Sequence, residues 1–164
     1  MLKHLFYLPG YLVRFGWNVM FTLGALKNMG DAQRALAIFG ALGLAVEVDE
    51  SLLDAVTGLS GSGPGYLSII AEALIYAGLK VGLPRNIAEK AAAQNMLGTA
   101  KLILELPEHP AKTRDMVTTP GGTTIEAVYE LEGSEVRQAL MRAVEQATKK
   151  SALIREKVCP EDKR

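Results

Sequence analysis

Residues 57–79 read TGLSGSGPGYLSIIAEALIYAGL, and they indicate a mainly helical architecture. It opens as a glycine-rich loop, after which Pro64 fits the first position of a helix with Ser62 or Gly63 as its N-cap. The helix is predicted to run to about Leu79. Since apolar side chains lie on nearly every side of it, we expect this helix to be buried at the centre of a helical assembly.

Four further helices are predicted on the C-terminal side, each starting at a proline or a hydroxyl-bearing residue. Thr123 and Glu126 match a capping box with Thr123 as the N-cap, and Ser134 caps the last helix. That last helix carries a narrow stripe of apolar and small side chains, which favours packing on another helix, of this chain or of a partner. The predicted helices cover residues 84–106, 110–117, 124–131 and 135–157.

The N-terminal side contains a predicted helix followed by a strand. Asp31 can cap a helix through Leu42, and residues 45–48 (AVEV) read as a short strand. This is the order of the last αβ unit of a larger sheet, and a strand alone needs another strand or another chain to satisfy its backbone groups. The predicted fold class is therefore mainly α, a helical bundle preceded by a remnant αβ unit.

The first 29 residues have a composition of their own. They hold six of the ten aromatic residues and a net charge of +3, which leaves −3 for the rest. Three interpretations stay open: a membrane anchor over residues 5–26, a signal peptide, or a soluble segment that packs on the rest or is the non-native start of a truncated gene. Pro9 and Arg14 interrupt the apolar run and no clean cleavage site follows, so we favour the soluble segment and expect no membrane partner.

Composition and length exclude several classes of protein. With 164 residues, 49% hydrophobic and 22% charged, the chain is typical of a globular protein. Its formal net charge of zero argues against a nucleic-acid partner. A single cysteine, Cys159, and two histidines predict no metal site. Because the single cysteine cannot form an internal disulfide, the chain suits a reducing, cytoplasmic compartment. A full dinucleotide-binding domain needs about 130–150 residues, so none fits beside the predicted helices.

Two glycine-rich loops, residues 60–63 (SGSG) and 121–124 (GGTT), each lead into a helix start. Hydroxyls and free backbone N–H groups at a helix start bind anions, which indicates a small carboxylate or phosphate ligand; ordinary capped helix starts are the alternative. The first loop is not a dinucleotide fingerprint, since Tyr66 stands where the third glycine is required. It is not a P-loop either, because no lysine follows it.

Three motifs in this order resemble the C-terminal half of pyrroline-5-carboxylate reductase: DAVTGLSGSGP at 54–64, GLPR at 82–85 and TPGGTT at 119–124. The similarity covers roughly residues 31–157. Thr113 stands where the family usually has an aliphatic residue. The family's N-terminal G-x-G-x-x-G motif has no counterpart here, and residues 1–29 match nothing in the family.

The resemblance implies an enzyme that reduces the imine of 1-pyrroline-5-carboxylate to L-proline, the last step of proline biosynthesis, with hydride from NADH or NADPH. In this family the N-terminal half is a Rossmann domain. The C-terminal half is a helical dimerisation domain whose helices interlock with those of the partner. The active site lies between the two domains and uses the partner subunit.

The resemblance also assigns site residues. Thr124 is the catalytic residue and hydrogen-bonds the ring nitrogen of the substrate. The substrate carboxylate is held in the same loop by Thr119, Gly121, Gly122 and Thr123. A second segment borders the nicotinamide and substrate pocket and consists of Ser60, Gly61, Ser62, Gly63 and Pro64.

We therefore expect four segments: an atypical aromatic segment (1–29), a Rossmann remnant (30–48), a helical dimerisation domain (49–158) and a charged tail (159–164). The expected function is that of a truncated pyrroline-5-carboxylate reductase, assembled as a homodimer or larger oligomer through its C-terminal helices. The alternative is a non-catalytic dimerisation and carboxylate-binding module. Such a module would pair with a full-length reductase or with a separate cofactor-binding chain.

Overall fold

A computed structural model describes residues 19–21, 29–41 and 43–158. Over these ranges the chain is mainly α-helical, with one pair of short strands. The described residues form two compact units, residues 64–143 in one and the remainder in the other. Cys159, the charged tail and most of the N-terminal aromatic segment lie outside the described residues. None of the described helices has both the length and the apolar character that crossing a membrane requires.

The first unit begins with two strands and the helix between them. β1 (Val19–Phe21) and β2 (Ala45–Glu47) pair in parallel, with Val19 opposite Ala45, and α1 (Met29–Gly40) lies between them in the chain. The predicted strand after the first helix is confirmed. The partner strand it requires comes from the aromatic segment of the same chain. The predicted αβ unit is thus a β–α–β unit, with a helix in the crossover that parallel strands need.

The bounds of α1 differ from the prediction at both ends. The helix begins at Met29, before the predicted cap Asp31, and ends at Gly40 instead of Leu42. Asp31 is therefore a residue of the first helical turn and not the N-cap. Gly40 ends the helix because glycine loses more backbone entropy in a helix than other residues do. Leu42 lies outside the described residues.

Residues 50–56 and the glycine-rich loop after them form one helical segment. A 3₁₀ turn (Glu50–Leu52) leads into α2 (Leu53–Val56), and a π-helical turn (Thr57–Gly61, the π turn) continues it. The Ser62 N–H donates to the Thr57 carbonyl at 3.0 Å, five residues back instead of the four of an α-helix. The prediction of a loop is therefore wrong here: the glycines lie within a helical turn and do not break it.

Gly58 explains why a glycine is needed in the π turn. The last helix, α7 (Val136–Val158), belongs to the first unit from Val144 onward. A Cβ on Gly58 would lie 2.9 Å from the Thr148 backbone nitrogen and 3.0 Å from the Val144 carbonyl oxygen. Two backbones approach this closely only where no side chain separates them. Gly58 is accordingly buried against α7.

The second unit, residues 64–143, is built from helices. They are α3 (Gly63–Lys80), α4 (Arg85–Glu105), α5 (Pro110–Met116), α6 (Thr123–Glu132) and the start of α7. Pro64 lies in the first turn of α3 and Pro84 is the N-cap of α4, so these predicted starts are confirmed to within one residue. His109 is the N-cap of α5, and its Nδ1 accepts a hydrogen bond from the Ala111 N–H at 3.2 Å.

The junction between α6 and α7 follows the predicted signals. Gly133 is the C-cap of α6. The Ser134 hydroxyl accepts a hydrogen bond from the Val136 N–H at 3.4 Å and donates one to the Leu131 carbonyl at 2.7 Å. Ser134 thus satisfies backbone groups at both helix ends, which the helices cannot satisfy internally.

Small residues let α3 and α4 pack closely. A Cβ on Gly78 would lie 2.9 Å from the Cβ of Ala88. Ala88 and Ala92 are 2% and 5% exposed, and they are the buried apolar side chains among the described residues. The core of one copy is therefore small, and Ala88 contributes to it where α4 approaches Gly78 of α3.

The apolar helix α3 is not buried within one copy of the chain. No residue of α3 is buried, and Leu67, Ile69 and Tyr76 are 52%, 69% and 53% exposed. One copy of the chain alone therefore does not provide the burial that the apolar sequence of this helix predicts. Apolar character on every side predicts burial, but it does not say whether the covering surface belongs to the same chain.

Candidate active site

The threonine loop (Thr119–Thr124) begins with a tight turn between α5 and α6. The Gly122 N–H donates to the Thr119 carbonyl at 3.0 Å, and Gly121 has φ +67°. Pro120 at the second position and a left-handed glycine at the third are the signature of a type II turn. A residue with a side chain would be strained at Gly121.

Gly122 carries a second constraint in this loop. A Cβ there would overlap the Thr119 hydroxyl and lie 3.1 Å from the Thr119 carbonyl oxygen. Gly122 has extended backbone and is the N-cap of α6, so Thr123 is the first helical residue. The predicted capping box with Thr123 as the N-cap is therefore wrong, because the turn already holds Gly122 in the extended conformation that an N-cap adopts.

The first turn of α6 offers hydrogen-bond donors that no described residue of the chain accepts from. The first N–H groups of a helix have no intrahelical acceptor, and the helix dipole makes this end positive. Within the described part of the chain, the hydroxyls of Thr119, Thr123 and Thr124 make no hydrogen bond. Thr124 is half-buried, whereas the other two are exposed. These hydroxyls and N–H groups are suited to an anion carrying a neighbouring polar atom.

A charge cluster connects the helices on either side of the threonine loop. Arg114 Nη1 of α5 lies 3.5 Å from Glu132 Oε1 of α6, and Arg137 Nε of α7 donates to Glu132 Oε2 at 3.0 Å. The Thr118 hydroxyl donates to the Arg114 carbonyl at 2.8 Å. The hydrogen bond from Arg137, reinforced by the charges of Arg137 and Arg114, lowers the pKa of Glu132 below its ordinary value of 4.5.

The second predicted site segment lies where the π turn meets α3. Ser60 and Gly61 belong to the turn, Ser62 follows it, and Gly63 and Pro64 begin α3. The side chains of Ser60, Ser62 and Pro64 are half-buried. The segment up to Gly63 belongs to the first unit, and the threonine loop belongs to the second. The two predicted site segments, residues 60–63 and the threonine loop, therefore belong to different units.

Asp54 of α2 makes contacts that no local sequence signal predicts. Its carboxylate accepts a hydrogen bond from the Ser151 hydroxyl at 2.8 Å and another from Arg155 Nε at 3.0 Å, both on α7. The Asp54 side chain is 18% exposed, so little water competes for these bonds. Sequence reasoning missed this cluster because the partners lie 97 and 101 residues away along the chain.

We tested whether the residues present fit a metal or a dinucleotide. Among the described residues, no group of three or more His, Cys, Asp or Glu is placed to hold a metal ion. In a dinucleotide-binding β–α–β unit the first strand–helix connection carries G-x-G-x-x-G. Here the residues between β1 and α1, 22–28, read TLGALKN with a single glycine. This chain's β–α–β unit therefore does not fit a dinucleotide pyrophosphate.

Comparison with known proteins assigns the helical part of the chain. Residues 50–154 match a family model described as pyrroline-5-carboxylate reductase dimerisation. The chain belongs to the pyrroline-5-carboxylate reductase family. The family's description as a dimerisation domain accounts for the exposed apolar side chains of α3, since a second copy can cover them.

Two pyrroline-5-carboxylate reductases show how far the similarity extends. The Synechocystis protein is 54% identical over 118 residues, which make up 72% of this chain and 44% of the relative. The Arabidopsis thaliana protein is 45% identical over 130 residues, 79% of this chain and 47% of the relative. The chain thus spans a little under half the length of these curated relatives.

Solved structures of the family share the fold. The Plasmodium falciparum pyrroline carboxylate reductase with NADP bound matches with a TM-score of 0.74 and 30% identity, over 82% of this chain and 51% of that one. The Coxiella burnetii reductase matches with a TM-score of 0.78 and 32% identity, over 82% and 50%. The mainly α fold, a helical dimerisation bundle preceded by a short α/β unit, is therefore that of the family.

Proposed function

We propose that this chain provides the substrate-binding and dimerising half of a pyrroline-5-carboxylate reductase, which reduces the C=N bond of 1-pyrroline-5-carboxylate to give L-proline. The observation that supports this most is the match of residues 50–154 to the family's dimerisation model. The relatives that bear this enzyme name are matched over less than half of their length. The activity is therefore proposed for an assembly that contains this chain.

The threonine loop suits the carboxylate of the substrate. The positive end of the α6 dipole and its unpaired N–H groups favour a negative ligand, and the hydroxyls of Thr119 and Thr123 can donate to it. Gly121 and Gly122 carry no side chains, so a ligand can approach the backbone closely. On this basis we assign the carboxylate to Thr119, Gly121, Gly122 and Thr123.

Thr124 is proposed to act at the ring nitrogen. Its hydroxyl is half-buried and makes no hydrogen bond within the described residues, so it is available to a ligand. The nitrogen carries a proton as hydride arrives at the neighbouring carbon, because the protonated imine is the better hydride acceptor. A threonine hydroxyl is a poor acid at its ordinary pKa. Thr124 therefore orients the protonated nitrogen by accepting a hydrogen bond from its N–H group and does not itself ionise; hydride addition to the carbon leaves the nitrogen as a neutral amine.

NADPH or NADH is proposed as the hydride donor, and one solved relative is a reductase with NADP bound. Since the β–α–β unit here does not fit the cofactor's pyrophosphate, we place the cofactor on a binding domain outside the described residues or on another chain. This chain's own residues then hold the carboxylate and the nitrogen in position. Residues 60–64 are proposed to border the nicotinamide and substrate pocket.

A partner copy is proposed to complete the site. The exposed apolar side chains of α3, such as Ile69 and Leu67, supply the surface for a homodimer or larger oligomer. Interlocking of helices between two copies would cover this surface and supply walls to the threonine loop.

Steady-state NADPH oxidation in the presence of 1-pyrroline-5-carboxylate tests the proposal. The purified chain alone should show no turnover, because its β–α–β unit does not fit the cofactor. The chain mixed with the N-terminal half of its 54% identical Synechocystis relative should be active. Each half alone is the control. Turnover by the chain alone would contradict the placement of the cofactor, and an inactive mixture that contains both folded halves would contradict the reductase proposal.

The variant Thr124→Ala should lower kcat in the active mixture about tenfold to a hundredfold, since it removes the hydrogen bond to the ring nitrogen. The thermal unfolding temperature should stay unchanged, because this hydroxyl bonds nothing within the described fold. Thr124→Ser keeps the hydroxyl and is the matched control that should retain most of the activity. Equal kcat values for Thr124→Ala and the parent chain would remove Thr124 from the site.

The second candidate function is a non-catalytic dimerisation and carboxylate-binding module. The absence of G-x-G-x-x-G from the sequence favours it. A module of this kind would bind L-proline and associate with a full-length reductase without adding turnover. Size-exclusion chromatography and assays with the full-length Synechocystis relative distinguish the two. Co-elution with no gain in activity favours the module, and turnover regained with a cofactor-binding half favours the reductase.

A further inference from the structure

The segment formed by α2 and the π turn contacts α7 at two points. Asp54 bonds Ser151 and Arg155, and Gly58, four residues later, lies against Thr148. Positions 148, 151 and 155 recur at spacings of three and four, so they share one face of α7. Because the contacts move back along α7 as the segment advances, the two elements run antiparallel.

These two contacts set the register of the π turn. A π-helical turn is rare because its five-residue hydrogen bonding is less favourable than the α-helical alternative. Each residue of an α-helix rotates by about 100°, so an α-helical continuation of α2 would turn Gly58 away from Thr148 and bring another residue there. The Cβ of that residue would clash with α7, because even a Cβ on Gly58 would lie only 2.9 Å from the Thr148 backbone nitrogen.

We propose that Asp54 is a positioning residue: through Ser151 and Arg155 it holds the π turn in register and thereby fixes Ser60–Gly63. The link to the reaction rests on the proposed function, in which this segment borders the substrate pocket. Asp54 lies in α2, before the turn, and is occupied by its two partners on α7. It therefore acts on the pocket through the turn.

The chemistry of the contact suits this role. A carboxylate that accepts one bond from a guanidinium and one from a hydroxyl is held in direction as well as in distance. The Ser151 side chain is half-buried and that of Asp54 is 18% exposed, so solvent screens the pair less than it screens the surface pairs of this chain. Removing the charge of Asp54 leaves Arg155 without this partner and frees one contact point of the turn.

Amide hydrogen exchange of the full chain measures the π turn directly, because the Ser62 N–H reaches the Thr57 carbonyl only across this turn. Asp54→Asn should speed exchange at Ser62 about tenfold or more, while exchange in α4 stays unchanged. Glu50→Gln is the matched control, because Glu50 is exposed on the preceding turn and makes no ion pair among the described residues. Unchanged exchange at Ser62, or equal acceleration in every helix, would overturn the proposal.

Conservative variants separate register from general stability. Arg155→Lys keeps the positive charge beside Asp54 and should retain most of the protection at Ser62. Ser151→Ala removes one of the two bonds and should give an intermediate exchange rate. If Arg155→Lys and Asp54→Asn accelerate amide exchange at Ser62 by the same factor, the Asp54–Arg155 charge pair does not hold the π turn.

The active mixture gives the functional readout. Asp54→Asn should lower kcat about tenfold through misplacement of Ser60–Gly63, with KM for 1-pyrroline-5-carboxylate changed less than about twofold, since the threonine loop keeps its contacts. A rise in KM at constant kcat, or an equal loss in Glu50→Gln, would contradict the positioning role. A mixture that is inactive with the parent chain would count against the proposed function, and exchange at Ser62 would still decide the role of Asp54.

Discussion

Gly122 holds one hydrogen atom where any other residue would place a Cβ, and the Thr119 hydroxyl lies in that space. The neighbouring Gly121 adopts φ +67°, which side chains disfavour. Two successive glycines thus serve two separate needs, one for space and one for backbone conformation. Both needs arise in the turn that presents Thr119 and Thr123 at the start of α6. The threonine loop therefore requires glycine at both positions, because neither position accommodates a side chain.

Gly122→Ala should destabilise the chain by about 1–3 kcal/mol, because the added methyl group overpacks against Thr119. Urea unfolding measures the change. Gly98→Ala, in the interior of α4, is the control, because apart from its chain neighbours and its own helix backbone no described atom lies within 4 Å of the new Cβ. That variant should be as stable as the parent or up to about 1 kcal/mol more stable. Equal stability of the two variants would show that Gly122 is not constrained by Thr119.

At the scale of elements, local chemistry decides where most helices begin. Pro64, Pro84 and His109 mark the starts of α3, α4 and α5 as the sequence predicts, because capping and the fixed φ of proline act within one turn. The π turn and the first residue of α6 differ from the prediction. In both places a contact outside the local helix, with α7 or with Thr119, decides the conformation.

The junction of α5, α6 and α7 carries a pH dependence through Glu132. Its pKa is lower in the folded chain than the ordinary 4.5, chiefly through the hydrogen bond from Arg137. Near pH 4.5 the folded chain therefore binds fewer protons than the unfolded chain. The Glu132–Arg137 pair accordingly stabilises the fold above pH 4.5. The contribution disappears as the pH falls through the lowered pKa of Glu132. It is small, because the side chains are exposed.

Arg137→Gln should therefore lower the urea midpoint slightly at pH 7, and the difference from the parent chain should shrink as the pH falls below 4.5. Urea titrations monitored by circular dichroism at several pH values measure this. Lys90→Gln, an exposed position of α4 with no ion pair among the described residues, is the control and should show no such trend. A difference that grows on acidification would contradict the assigned direction.

At the scale of the whole molecule, one copy of the chain leaves much of its apolar surface uncovered. Only Ala88 and Ala92 are buried apolar side chains among the described residues, whereas Ile69 of α3 is 69% exposed. Surface of this kind marks an interface, in agreement with the family's description as a dimerisation domain. On the proposed dimerisation, stability and association are coupled, because a second copy would supply the contacts that the single chain lacks.

Ile69→Glu should weaken self-association by at least about tenfold, since it brings a charge into the apolar face of α3. Sedimentation velocity at several concentrations measures the shift toward monomer, and the unfolding temperature should lose its dependence on concentration. Ile38→Glu is the matched control: Ile38 is 64% exposed on α1, outside the residues that match the dimerisation model. Equal sedimentation of Ile69→Glu and the parent chain would contradict this assignment of the interface.

Local signals in the sequence predicted the helices of the second unit and the strand after α1, because periodicity, caps and glycine turns act over a few residues. The pairing of β1 with β2, the π turn in place of a loop, and the bonds of Asp54 to Ser151 and Arg155 emerged only from the folded chain. These contacts join residues far apart in the chain. Their energy depends on neighbours that no local pattern names, so they appear only once the chain is folded.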